Sequence, residues 1–145
     1  MGELRPIEVI RGDLDFLLSA PLQEPDAALE LAREAADHPD GIQAVPSLLL
    51  LLERNWRLEW GAPGGVVHAI ERFFGRGYEP LLVQSLRRAP TSRTLWMANR
   101  LLNGLPPGRR QEYLSVIDEV ARREDVSDEV RQAARHFIEF QKSRA

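Results

Sequence analysis

The sequence predicts an all-α protein of seven or eight antiparallel helices in a compact bundle or short solenoid. Three observations lead there. Apolar residues recur at helical spacing through most of the chain. Helix caps such as Asp26, Thr91 and Ser127 stand before these stripes, and Gly or Pro stands after them. Strand signals are nearly missing: only "PIEVI" at 6–10 alternates weakly, and it is expected as a short extended piece without a partner strand.

The elements follow in order. Asp13 is placed to cap a short helix over Leu14–Ser19, closed by Pro21. Asp26 caps the next, with Ala27, Ala28, Leu31 and Ala35 inward and Glu30 and Glu34 outward, ending near "HPDG". The third spans 43–54, with Pro46 in its first turn, where no N–H is needed. Its leucines surround the helix and predict burial on more than one side. "NWRLEWGAPGG" breaks the pattern: Pro63 fixes φ, and Gly64 and Gly65 suit positive φ. A helix from Gly65 to Phe74 is stopped by "GRG", and another runs from Glu79 to Arg88, short of Pro90.

Thr91 or Ser92 caps a helix over Arg93–Leu102, which ends at Asn103-Gly104. Leu95, Ala98, Leu101 and Leu102 form its core face. Trp96 is expected to anchor it, with Asn99 and Asn103 bonded to neighbouring backbone. Pro106 and Pro107 open a long helix to about Arg123, striped by Tyr113, Val116, Ile117 and Val120. Ser127 caps the last, from Asp128 to about Lys142, with Val130, Ala134, Phe137 and Ile138 inward. Helices on short loops pair as hairpins that stack. No clean period runs through them, so any HEAT-like repeat is degenerate.

At 145 residues the chain suits one domain over 1–145. Such a chain buries roughly 70% of its unfolded surface, so folding requires neither disulfide nor metal. It has no Cys, which excludes a disulfide framework, a thiol nucleophile and cysteine metal sites. The longest apolar run, Val45–Leu52, holds Pro46 and Ser47 and is too short for a bilayer. The opening "MGELRPIEVI" lacks the basic and apolar layout of a signal peptide. A cytoplasmic protein without a membrane partner is expected.

Net charge is −3, but charge is unevenly spread. Residues 21–40 hold Glu24, Asp26, Glu30, Glu34, Asp37 and Asp40 against Arg33; residues 81–100 hold Arg87, Arg88, Arg93 and Arg100 and no acid. "SLRRAPTSR" lacks interleaved aromatics, and the chain is acidic overall, so no nucleic-acid partner is expected.

Chemical motifs do not assemble. The glycines of "WGAPGG" lack the Lys and hydroxyl of a phosphate loop, so the stretch reads as a tight turn. His68 and Glu71 share one helix face. Di-metal bundles need two copies of Glu-x-x-His, and here there is one copy in reverse order. The pair is expected to be structural, hydrogen-bonded or with His68 packed under the glycine turn. No Gly-x-Ser-x-Gly elbow exists. No catalytic residue, metal ligand or cofactor is assigned. "ERNWRLEW" packs two Trp with Arg, residues enriched in binding hot spots. Exposed, Trp56 or Trp60 marks an interface; buried, it caps the leucine-rich helix.

Residues 52–104 resemble small helical bacterial proteins encoded beside polymorphic toxins. The elements of likeness are the Gly61-x-Pro63-Gly64 turn, His68 with Glu71, Tyr78 and the Leu-rich helix after it, Pro90-Thr91, and Trp96-Met97 with Asn99, Arg100 and Asn103. The chain is thus similar to immunity proteins. The resemblance implies a small helical protein that binds and blocks a cognate toxin domain, with no enzyme activity of its own. The acidic 24–40 segment would suit a basic nuclease cleft, since charge complementarity speeds association. Expected contacts are Glu30, Glu34 and Asp37, with Trp56 and Trp60 as anchors. The rival readings are a helical-repeat adaptor for another protein and, more weakly, an enzyme using His68 and Glu71. The sequence assigns no oligomeric state.

Overall fold

A computed structural model describes residues 3–144, and its described residues form eight α-helices with no strand. They are α1 (Ile7–Leu18), α2 (Asp26–Ala36), α3 (Val45–Arg54), α4 (Gly65–Glu71), α5 (Tyr78–Arg88), α6 (Ser92–Asn103), α7 (Pro107–Arg122) and α8 (Asp128–Ser143), with a 3-10 turn over Gly41–Ala44. The chain divides into two compact units, residues 1–81 and 82–145, the boundary falling inside α5.

In the first unit α1 packs on α2 and α3, and α2 packs on α4. The extended piece expected at 6–10 is instead the first turn of α1. Pro6 holds the entry at φ −56° and ψ 145°, and its carbonyl accepts from Val9 and Ile10 at 3.0 and 3.3 Å. Ile7, Ile10 and Leu14 are buried. Their i, i+3, i+7 spacing is a helical stripe that outweighs a short β-like alternation. Asp13 therefore lies inside a helix and caps nothing. Its carboxylate accepts from Arg5 at 2.9 Å, and Arg5 also clasps both oxygens of Glu34 at 2.6 and 2.7 Å, tying α1 to α2. The Arg5 bonds hold the Glu34 carboxyl below its ordinary range.

Ala28, Leu31, Ala32, Ala35 and Ala36 form the inward face of α2, while Ala27 is exposed, and Pro25 rather than Asp26 occupies the cap position. In α3, Pro46 sits in the first turn, and Val45, Leu48, Leu49, Leu51 and Leu52 are all buried, covering more than one side. Each such side chain contributes roughly 1.5–3 kcal/mol on leaving water.

The turn before α4 is built as a clasp. The Asn55 side-chain oxygen accepts from Leu22 N–H at 2.9 Å, and its amide donates to the Leu51 carbonyl at 3.0 Å. The Trp60 indole donates to the Asn55 carbonyl at 3.0 Å. Positive φ falls on Gly61 and Gly64, not on Gly65. At Gly64 a Cβ would lie 1.8 Å from the Trp60 carbonyl oxygen, so only glycine lets the chain close over that residue. Helix α4 stops at Glu71, earlier than expected, and turns through Gly75 and Gly77, both at positive φ, carry the chain to α5.

In the second unit α8 packs on α7 and α6. Thr91 and Thr94 form a reciprocal capping box at the start of α6, with both bonds at 3.0 Å. Leu95, Met97, Ala98, Leu101 and Leu102 are buried and Trp96 is half-buried. Pro106 precedes α7, whose Tyr113, Val116, Ile117 and Val120 are buried as expected. Ser127 caps α8, its Oγ accepting from Val130 N–H at 3.2 Å. Only Ala134 and Gln141 of α8 are fully buried; Val130, Phe137 and Ile138 are half-buried.

Candidate partner interface

Surface chemistry differs between the units. Residues 1–81 carry seven Arg against fourteen acids, and residues 82–145 carry twelve Arg and Lys against eight acids. A chain of net charge −3 thus divides into −7 and +4.

The structure separates the expected contact residues. Glu30 is exposed on α2. Glu34 is half-buried in the Arg5 clasp, and Asp37 accepts from Arg72 at 2.9 Å. Two of the three acids are thereby partly neutralised by the protein's own arginines. The two tryptophans take opposite fates. Trp56 is 51% exposed, with the Arg57 guanidinium 4.7 Å from its ring centre. Trp60 is buried and spent on the Asn55 clasp, so it is a cap on α3 and not an accessible anchor.

Among the described residues the most exposed large apolar side chain is one outside the expected contacts: Phe16, 76% exposed on α1. Setting the α1 start at Leu14 hid it. With the start at Ile7, Phe16 lies two turns beyond Val9, on the face opposite Ile10 and Leu14. The Arg54 guanidinium reaches the Leu18 carbonyl at 3.4 Å, so the end of α1 that carries Phe16 adjoins the end of α3 that leads to Trp56.

His68 is neither packed under the glycine turn nor held by a close hydrogen bond. Its side chain is 60% exposed, with Nδ1 3.7 Å from Glu71 Oε1. Among the described residues no three His, Asp or Glu side chains gather as a metal set. An exposed pair of this kind contributes little. His68→Ala is therefore expected to change unfolding free energy by less than about 0.5 kcal/mol, read from urea denaturation; a loss above 1 kcal/mol would restore a structural role.

In the second unit α7 and α8 border an open groove of about 890 Å³, with Ala121 and Ile138 among Arg122, Arg123, Arg135 and Lys142. Several of its charges are satisfied locally: Arg122 pairs with Asp118 at 2.9 Å and Arg123 with Asp125 at 2.7 Å. Asn99 and Asn103, expected to bond to backbone, instead receive the Gln141 side-chain amide at 2.7 and 3.0 Å. Arg110 donates to the Gln141 oxygen, and Arg144 donates to Asn103 at 3.1 Å. This polar knot joins α6, α7 and α8. Its signal in the sequence is a lone Gln on the line of Ala134, one helix repeat further on.

No helix of the described residues is long and apolar enough to cross a membrane. No family model, no curated protein and no solved structure matches this chain.

Proposed function

We propose that the protein is an immunity protein, which neutralises a cognate bacterial toxin domain by tight stoichiometric binding rather than by turnover. The observation that carries the reading is the concentration of −7 charge in residues 1–81 together with the exposed aromatics Phe16 and Trp56. Acidic rims steer a basic partner and set association rate, while a desolvated aromatic sets residence time. The likeness of residues 52–104 to immunity proteins points the same way. The expected target is a basic toxin cleft, such as that of a nuclease, and the expected site of action is the cytoplasm.

The test is coexpression with basic nuclease toxin domains, followed by binding kinetics at two salt concentrations. A one-to-one complex and rescued growth are expected. Trp56→Ala should speed dissociation about tenfold or more, as loss of ~2 kcal/mol at an anchor does. Glu30→Lys should slow association, most at low salt. Failure to form a complex at micromolar concentration would refute the reading. The groove between α7 and α8 favours an adaptor as the second reading; binding of several unrelated partners, each weakly and without growth rescue, would select it.

A further inference from the structure

Gly12 stands in the middle of α1, exposed, with nothing within 4 Å of the place a Cβ would occupy. Mid-helix glycine weakens a helix relative to alanine, because the unfolded chain gains freedom. Nothing inside the protein requires it: its φ is not positive and no neighbour approaches. Helical periodicity sets Val9, Gly12 and Phe16 along one line, opposite the buried Ile7, Ile10 and Leu14. Val9 is 43% and Phe16 is 76% exposed, so two apolar side chains flank a bare stretch of backbone. Glu8 and Asp15 border this line on one side, both exposed, and on the other side Asp13 is paired with Arg5. The line from Val9 to Phe16 spans about 10 Å, two helical turns.

We propose that this outer face of α1 docks one amphipathic helix of a partner protein. The partner's apolar stripe lies over Gly12 between Val9 and Phe16, and its Lys and Arg flank meets Glu8 and Asp15. The glycine permits close approach of the two backbones, and Val9 and Phe16, at i and i+7 on one face, are its two apolar contacts. Charge selects the occupant. A second copy of this helix would bring acids against acids, which costs affinity, whereas a basic helix is complementary both to the rim and to the −7 unit that carries it. This deepens the immunity reading, on which it rests, by naming the partner element.

The probe is a synthetic helical peptide with Leu and Ala on one face and Lys on its flanks, beside a control with Glu in place of Lys. Fluorescence anisotropy should show the Lys peptide binding at least tenfold tighter than the Glu peptide. Gly12→Leu and Phe16→Asp should each weaken it tenfold or more. Gly12→Ala should do two opposite things, raising Tm by roughly 2–4 °C while weakening the peptide. No binding, equal binding of both peptides, or binding indifferent to Gly12 and Phe16 would overturn the assignment. So would a concentration-dependent dimer abolished by Gly12→Leu, which would give the face to a second copy. A toxin complex that survives Gly12→Leu and Phe16→Asp unchanged would leave the immunity reading standing and remove this one.

Discussion

Gly41→Ala is expected to cost at least about 3 kcal/mol and to leave residues 1–81 largely unfolded in mild denaturant. The added Cβ would lie 1.8 Å from the Ala35 carbonyl oxygen and 2.8 Å from the tip of the Phe73 ring. Ala35 belongs to the last turn of α2, and its carbonyl already accepts from His38 N–H at 3.0 Å. The next bonds leave no slack: Gly41 N–H donates to the His38 carbonyl at 3.0 Å, and Asp40 N–H donates to His38 Nδ1 at 2.9 Å. That last bond requires a lone pair on Nδ1, so the buried His38 is the fastener of this corner. A methyl group can enter only if α2 and the 3-10 turn separate, which uncovers Ala36, Ala44 and Phe73. Overpacking of a rigid core costs 1–3 kcal/mol, and more when the obstacle is backbone. Urea denaturation is the measurement, with Gly108→Ala as control, since nothing lies near a Cβ there. Equal midpoints for the two variants would refute the packing of this corner.

Gln141→Leu is expected to destabilise the second unit by about 2–4 kcal/mol. Leucine fills much of the same volume and still leaves two polar groups stranded, the Asn99 side-chain oxygen and the Arg110 guanidinium, while the exposed Asn103 keeps its bond from Arg144. A buried group without a partner costs about 1–3 kcal/mol, and here α8 has only Ala134 besides Gln141 fully buried along its length. The Arg110 Nε is already buried without a partner, so the knot has no spare acceptor to offer. Unfolding of α8 from α6 and α7 can be followed by helical circular dichroism in urea. A midpoint within error of the unaltered protein would mean that Gln141 is a passenger. Asn99→Ala should fall between the two, since it removes one acceptor and keeps the Arg110 bond.

Much of this fold was legible in the chain because local signals and tertiary packing agreed. Thr91, Pro107 and Ser127 start helices where their chemistry says they should, and the Tyr113 to Val120 stripe is buried residue for residue. Two of the misreadings, at the start of the chain, share one cause. At 6–10 and at Asp13, short-range patterns pointed one way and a longer apolar stripe another, and the stripe won because burial of Ile7, Ile10 and Leu14 outweighs local preference. The candidate interface was less legible. Whether Trp56 or Trp60 faces solvent depends on Asn55, whose role as a clasp between Leu22 and Trp60 involves residues 33 apart in one bond and five in the other. Which acids remain unpaired depends on Arg5 and Arg72, which reach Glu34 and Asp37 across the fold. Phe16 and Gly12 became meaningful only once α1 was known to start at Ile7.

The three tryptophans give the protein its own optical reporters. Trp56 looks into water and should emit at long wavelength and be quenched readily by iodide or acrylamide; Trp60, sealed against Asn55, should emit to the blue and resist both. Trp96 belongs to the other unit. Trp56→Phe would therefore leave one indole reading each half of the chain. Whether residues 1–81 and 82–145 melt together or in sequence becomes visible in unlabelled protein, as one shift of colour or two.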